Sequence, residues 1–313
     1  MMKRDPRETT VAVLMGGWSA EREVSLSSGN ACAAALGRAG FNVVPIDVKR
    51  ETVVSVLQDL NPEVAFNALH GKWGEDGCAS AVLETLQIAY THSGVLASSL
   101  AMHKEKSKTL FHASGIPVAE SRLVDLEFAA TQHPMPLPYV LKPVDEGSSV
   151  GVHIVDQSSN GPAAIILEQR ALYGDKVMAE RFIPGRELTC AVIGDVALGV
   201  IDIIADARFY DYRAKYAPGG SQHILPADIP KDVYRRCQQY ALAAHRALGC
   251  RGVSRADFRY DDTQGPDGEL ILLEINTQPG MTGTSLVPEL ASHAGHSFED
   301  LVTWMVNDAS VNR

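Results

Sequence analysis

Short apolar runs alternate with helical stretches through the first hundred residues. Residues 11–15 read as a strand running into Gly16-Gly17, and residues 26–39 as an Ala-rich helix that stops at Gly40. Further strands are expected over 42–48, 63–69 and 89–92, with helices over 51–60 and 77–86 between them. Near-continuous apolar strands separated by helices argue for a parallel sheet covered on both faces. Ligands of such sheets lie at the carboxyl ends of the strands. The Gly-rich loops 16–25 and 70–77 fall there.

The middle of the chain has a different pattern. After a helix over 104–113, Pro134, Pro136 and Pro138 mark a linker. Residues 139–143, a turn of small residues and 152–155 then read as strand–turn–strand. Strands over 177–182 and 188–193 follow, which makes this block α+β. Beyond a stretch rich in Tyr, Lys and Gly (208–220), a long helix is expected over 231–248. It carries Val233, Cys237, Tyr240, Ala244 and Leu248 on one face. Strands over 253–260 and 269–275 and helices over 286–294 and 298–306 complete the pattern.

Composition narrows the class. A chain of 313 residues suggests about two domains of roughly 150 residues each. With 45% hydrophobic and 21% charged residues, wholesale disorder, collagen-like repeats and coiled coil are excluded. Lys+Arg number 28 against 38 Asp+Glu, a formal charge of −10. Nucleic-acid or anionic-membrane binding through a basic field is therefore not expected, and any anionic ligand must be caught locally. Five cysteines, with no pair at metal-ligand spacing, suggest a reduced intracellular protein. Residues 11–15 are too short for a signal-peptide core. No apolar run approaches the ~18 residues of a membrane span. A soluble, cytoplasmic protein is expected.

The sharpest local chemistry is Asp257 with Glu274 and Asn276. Side chains two apart on a strand share a face, so Arg255 goes with Asp257 and Glu274 with Asn276. If the two strands are neighbours, three oxygen donors and a guanidinium converge. Hard oxygen ligands suit Mg²⁺, most of all where it bridges substrate phosphates. The alternative is the polar side of a solvent-facing hairpin. The run Leu270-Ile271-Leu272-Leu273 argues against it, since buried charge is costly unless paired or metal-bound.

In Asp145-Glu146-Gly147-Ser148-Ser149-Val150-Gly151 the small residues free backbone N–H groups to approach phosphate oxygens. The same segment fits G-x-S-x-G through Gly147, Ser149 and Gly151, but that nucleophile motif needs strand–turn–helix, and a strand follows here. A plain hairpin turn stays open as a third reading. Lys142, flanked at period two by Val140 and Val144, is either on an exposed face or a ligand contact. Lys215 in the aromatic segment 209–216 is either solvated or part of a lid that excludes water. His70 alone is a loop histidine, and Glu21 alone a helix-start acid favoured by the dipole. No P-loop, no G-x-G-x-x-G after the first strand and no H-E-x-x-H occurs.

Taken in order, these segments resemble the D-alanine–D-alanine ligases of the ATP-grasp superfamily. The resemblance rests on Gly16-Gly17 with 19–25, Leu69-His70-Gly71, Gly74-Glu75-Asp76-Gly77, Tyr90-Thr91-His92-Ser93-Gly94 and Lys142-Pro143 with 146–151. It continues through 209–212, Lys215-Tyr216, Asn276-Thr277, Pro279-Gly280-Met281-Thr282 and Ser285-Leu286-Val287-Pro288. It implies an N-terminal parallel α/β domain followed by a two-lobed ATP-grasp fold, divided as 1–103, 104–187 and 188–313. It also implies ATP-dependent joining of two D-alanines through an acyl phosphate, for peptidoglycan precursor synthesis, by a homodimer formed through the N-terminal domain.

Residue roles carried by the resemblance are as follows. Two Mg²⁺ ions, with Mn²⁺ able to substitute, sit on Asp257, Glu274 and Asn276. Lys104, Lys142, Glu180, Glu187, Phe209 and Lys215 hold the nucleotide, with Phe182 and Ile183 around the adenine. Glu21, linked to Ser148 and Tyr216, pairs with the ammonium of the first D-alanine, and Tyr210 joins the substrate contacts. His70 and Arg255 lie near the reacting carboxylate, Ser285 and Leu286 fix that of the second D-alanine, and the Gly280 N–H meets the developing oxyanion. Trp18, Trp73, His103, Gln278 and Gly283 depart from the common pattern. The Lys215-Tyr216 pair favours an amine acceptor over D-lactate, by family analogy. Three rivals remain: a ligase for other amino or hydroxy acids, a non-catalytic nucleotide-binding protein on the same fold and, most distant, a serine hydrolase acting through Ser149.

Overall fold

The computed structural model describes residues 3–148, 150–159, 161–205, 221–263, 265 and 268–313. Its first sheet is the parallel one expected. Strand β1 (Thr10–Gly16) lies at the centre, between β2 (Asn42–Val48) and β3 (Val64–Asn67), and β4 (Ala89–Tyr90) lies outside β3. Alternation along the strands divides the packing. Ala12, Leu14 and Ala65 face Val53 and Leu57 of the helix Val53–Leu60 and Ala79 and Leu83 of the helix Cys78–Thr85. Val11, Val13, Met15, Val64 and Phe66 face Cys32, Ala35 and Leu36 of the helix Arg22–Arg38. Each Val, Leu, Phe or Met among them contributes about 1.5–3 kcal/mol on full burial.

That second core does not stop at the first hundred residues. The helices Leu286–His293 and Phe298–Asp308 add Leu290, Leu301, Val302, Met305 and Val306 to it. The chain's end thus packs onto its beginning, and the loops from residue 276 onward are held beside the carboxyl ends of β1 and β3.

Four strands form a smaller antiparallel sheet in the order β5 (Ser121–Asp125), β8 (Lys176–Arg181), β6 (Tyr139–Lys142), β7 (His153–Val155). β6 and β7 are the expected hairpin. A strand, not a helix, follows its turn, so the context that a serine-hydrolase nucleophile needs is missing. β5 and the helices Val95–Met102 and Leu126–Thr131 escaped the sequence pattern.

The third sheet is antiparallel, in the order β11 (Ser221–Ile224), β10 (Val196–Ala205), β9 (Arg186–Ile193), β12 (Val253–Asp261), β13 (Glu269–Asn276). β10 was not anticipated; its register shifts between Ala197 and Val200, which breaks the alternation a sequence reading relies on. The helix Lys231–Ala247 covers one face, burying Val233, Cys237, Ala241 and Ala244 against Leu188, Cys190, Val192, Ala256 and Phe258. Leu248 is buried with them, whereas Tyr240 is only partly covered. Among the described residues no helix is long and apolar enough to cross a membrane.

A bulge positions the chemistry of β13. Asp257 pairs with Glu274, but Phe258 pairs with Leu272, so Leu273 is the extra residue. Leu270 and Leu272 enter the helix-covered core on one parity, and Ile275 enters it on the other. The bulge therefore turns Glu274 and Asn276 away from that core. Bulges next to active sites commonly re-aim side chains in this way.

Candidate functional site

The uncovered face of β12 and β13 brings the expected acid cluster together. Asp257 stands opposite Glu274, and Arg255 opposite Asn276. Arg255 chelates Asp257 through Nε to Oδ1 at 2.9 Å and a terminal nitrogen to Oδ2 at 2.7 Å. From β9, Thr189 Oγ1 donates to Asp257 Oδ1 at 2.7 Å. Such paired, hydrogen-bonded charge is how carboxylates are tolerated at an edge with little water. Asn276 Oδ1 accepts the Gln278 N–H at 2.8 Å. Two carboxylates and a carboxamide oxygen on one face are hard donors with the charge a divalent cation requires, so the residues fit one. Among the described residues no group of three or more His, Cys, Asp or Glu could hold a metal, so this set depends on Asn276.

One cleft at this face is lined by Glu21, His70, Ser148, Arg255, Gly280, Ser285 and Leu286. Glu21 stands at the start of the helix Arg22–Arg38 and is almost fully buried. Ser148 Oγ donates to Glu21 Oε2 at 2.6 Å from a residue with φ of +51°, a conformation rare outside glycine. Beside it, a Cβ on Gly147 would come within 3.3 Å of Glu21 Oε1, so the missing side chain lets the turn close on the carboxylate.

His70, at the carboxyl end of the β3 segment, is fixed at both ring nitrogens, Nδ1 3.0 Å from Glu75 Oε1 and Nε2 3.0 Å from Ser28 Oγ. Ser28 Oγ in turn accepts the Met281 N–H at 3.2 Å. Ser285 Oγ is 2.8 Å from Thr282 Oγ1 and accepts its N–H at 2.9 Å, and Ser285 begins the helix Leu286–His293. Unsatisfied N–H groups at a helix start favour an anion.

A second cleft is lined by Lys142, Glu180, Phe182, Ile183, Glu187 and Arg259. The two clefts share Lys104, Glu146 and Glu274. Lys142 Nζ is 2.6 Å from Glu180 Oε1, and Lys108 Nζ bonds Oε2 of the same carboxylate. Burial works to raise the Glu180 pKa, but the charges of Lys142 and Lys108 outweigh it and hold the carboxyl below its ordinary value. Lys104 donates to the Glu146 carbonyl and lies 3.7 Å from Glu274 Oε2. Burial pushes its ammonium below the usual lysine range, Glu274 opposes that shift and Lys142 reinforces it. Ile183 is buried against Ala119 and Ile271, and the Arg259 guanidinium sits over the Phe182 ring at 6.0 Å while pairing with Glu187 at 3.5 Å.

Phe209, Tyr210, Lys215 and Tyr216 lie outside the described residues, as does Ser149. Sequence reasoning missed Lys108, Ser28, Thr189 and the role of Glu75. Lys108 had a signal, since Lys104, Lys108 and Phe111 repeat at helical spacing on the buried face of the helix Lys104–Ala113. Thr189 had none, because only the β9–β12 register brings it to Asp257.

The model of the D-ala D-ala ligase C-terminus matches residues 110–307. A D-alanine–D-alanine ligase of Parvibaculum lavamentivorans is 61% identical over 303 residues, covering 97% of this chain and 98% of its own. One from Methylorubrum extorquens is 59% identical over 304 residues, covering 97% and 99%. Among solved structures, the Bacillus anthracis D-alanine–D-alanine ligase complexed with ATP superposes with a TM-score of 0.78 at 28% identity, over 96% of this chain and 97% of that one. The VanG D-Ala:D-Ser ligase of Enterococcus faecalis gives 0.77 at 28% identity, over 95% and 98%.

Proposed function

The chain belongs to the D-alanine–D-alanine ligase family, and from that membership we propose how its two clefts divide the reaction. The enzyme joins two D-alanines to D-alanyl-D-alanine with consumption of ATP, for peptidoglycan precursor synthesis. A carboxylate is a poor acyl donor, so a carboxylate oxygen of one D-alanine first bonds to the γ-phosphorus of ATP, the bond from that phosphorus to the bridging oxygen breaks, and an acyl phosphate and ADP result. The amine nitrogen of the second then bonds to the acyl carbon, the carbon–oxygen bond to phosphate breaks and inorganic phosphate leaves.

The cleft of Lys142, Glu180, Phe182, Ile183 and Glu187 takes ATP, with Phe209 and Lys215 added by the family resemblance. Lys104 and Lys142 meet phosphate oxygens, and Glu180 holds Lys142 in place. Asp257, Glu274 and Asn276 would hold two Mg²⁺ or Mn²⁺ ions, which when bound neutralise charge on the transferring phosphoryl group. In the other cleft Glu21 receives the first ammonium, tied to Ser148 and, by resemblance, to Tyr216, with Tyr210 among the substrate contacts. His70 and Arg255 face the reacting carboxylate. Ser285 and Leu286, at their helix start, receive the carboxylate of the second D-alanine, and Gly280 offers its N–H to the tetrahedral oxyanion. The division 1–103, 104–187 and 188–313, a homodimer through the first part and a cytoplasmic location complete the reading.

The observation that carries it is that both clefts open onto Lys104, Glu146 and Glu274, so a phosphoryl group and a carboxylate can meet there. The test is phosphate release from Mg-ATP with D-alanine, L-alanine, D-alanine plus D-lactate or D-serine, or no acid, with chromatography of products. Release stimulated by D-alanine alone, matched one-to-one by dipeptide, is expected. Release with another acid in place of D-alanine would overturn the substrate, and no release at all would overturn the enzyme.

A further inference from the structure

The side chain of Gln278 ties the loop that follows β13 to the first sheet. It is buried, with a relative exposure of 4%, although it belongs to neither cleft lining. Its Oε1 accepts from Asn67 Nδ2 at 2.7 Å, and its Nε2 donates to the Leu69 carbonyl. Asn67 is itself buried and fully committed, donating to the Gly74 carbonyl at 3.1 Å and accepting the Leu69 N–H at 3.2 Å. At its other end, the Gln278 N–H holds Asn276. The carboxamide therefore spans from the peptide just before His70 to the residue just before Pro279-Gly280. A second link, from Ser28 to His70 and Met281, runs parallel to it.

We propose that Gln278 is a positioning residue that sets the separation between the His70 loop and the Gly280–Ser285 loop. It thereby aligns the second D-alanine's amine with the acyl phosphate of the first. This rests on the ligase reading above. A side chain one methylene shorter cannot reach both Asn67 and Leu69 from the same backbone, and an apolar one leaves buried donors and acceptors unmatched. Misalignment by an ångström costs on the order of a hundredfold in such a step. The acyl phosphate then meets water instead: water oxygen bonds to the acyl carbon, the bond to phosphate breaks, and D-alanine and phosphate are released without dipeptide.

The experiment compares wild type with Gln278→Asn and Gln278→Met, measuring dipeptide and phosphate separately, with the KM for ATP and the unfolding midpoint. Wild type must first give one dipeptide per phosphate; if it does not, the ligase reading fails and this inference is withdrawn with it. With that satisfied, both variants should make dipeptide about ten- to a hundredfold more slowly, at less than one dipeptide per phosphate, with the KM for ATP within about threefold of wild type. A one-to-one ratio with normal kcat in the folded Asn variant would overturn the proposal. So would a loss of ATP affinity equal to the loss of ligation, which marks a structural role only.

Discussion

Glu21 and Glu180 are the same residue type, at relative exposures of 7% and 3%, one in each cleft. Their surroundings differ in kind. Glu180 sits between two ammonium groups, Lys108 and Lys142, so its charge is answered inside the protein before any ligand arrives. The Glu21 partner with a described geometry is a hydroxyl, Ser148, on a turn from a different sheet. A buried carboxylate balanced by lysines is framework and fixes the lysines it holds. Glu21 depends on the placement of the turn that brings Ser148 to it. The lysine frame around Glu180 is thus assembled among the helix Lys104–Ala113, β6 and β8, and Glu187, Arg259 and Glu274 of the third sheet complete that cleft. The other cleft forms where loops from the first sheet, the β6–β7 turn and the segment after β13 converge.

The strongest way to break this contrast is Glu180→Gln. It leaves two buried ammonium groups without their carboxylate and should cost about 3–5 kcal/mol in denaturant unfolding. A loss under about 1 kcal/mol would show that the lysines do not depend on it. The pH profile sharpens the point. Because the folded Glu180 pKa lies below 4.5, its stabilisation is complete above pH 4.5 and lost as pH falls through the folded value. The difference between variant and wild type should therefore shrink in acid.

Glu274→Gln tests the face shared by both clefts. Turnover should fall by about 10²–10³-fold or more with the fold intact. Activity within a few-fold of wild type removes Glu274 from the metal set. Glu21→Gln should raise the KM for the first D-alanine by about 10–100-fold, since an ion pair to an ammonium becomes a neutral contact. The KM for ATP and the stability should barely move. Equal effects on both substrates would dissolve the distinction drawn here. Ser148→Ala should do least, raising the D-alanine KM by about three- to tenfold, the size of one ordinary hydrogen bond lost from the positioning of Glu21. A stability loss larger than that of Glu180→Gln would reverse the contrast.

Much of the fold was legible. The β1, β2 and β3 strands, the helix Lys104–Ala113, the long helix Lys231–Ala247 and the β6–β7 hairpin all follow from apolar period and turn residues. β10 and β5 were not legible, because Gly199 and a register shift interrupt the first, and the second exposes much of its length. Of the site, Asp257, Glu274 and Asn276 stood out as charge beside an apolar run. Glu21, His70 and Ser148 took their meaning from ordered motifs rather than from any local signature.

Which residues are chemically capable is written in the chain: the acids of β12 and β13, the small-residue turn, the lysines, and the order of motifs that marks the family. Which way they face depends on how distant strands pair. Alternation predicts that Glu274 shares a face with Leu270 and Leu272, which are in the core. The extra residue at Leu273 reverses that parity and brings Glu274 across from Asp257. A bulge depends on the partner strand's register, and a hydrogen bond such as Gln278 to Leu69 spans more than two hundred residues of chain. Neither leaves a trace in local periodicity, because both are set by what the distant strand or loop presents.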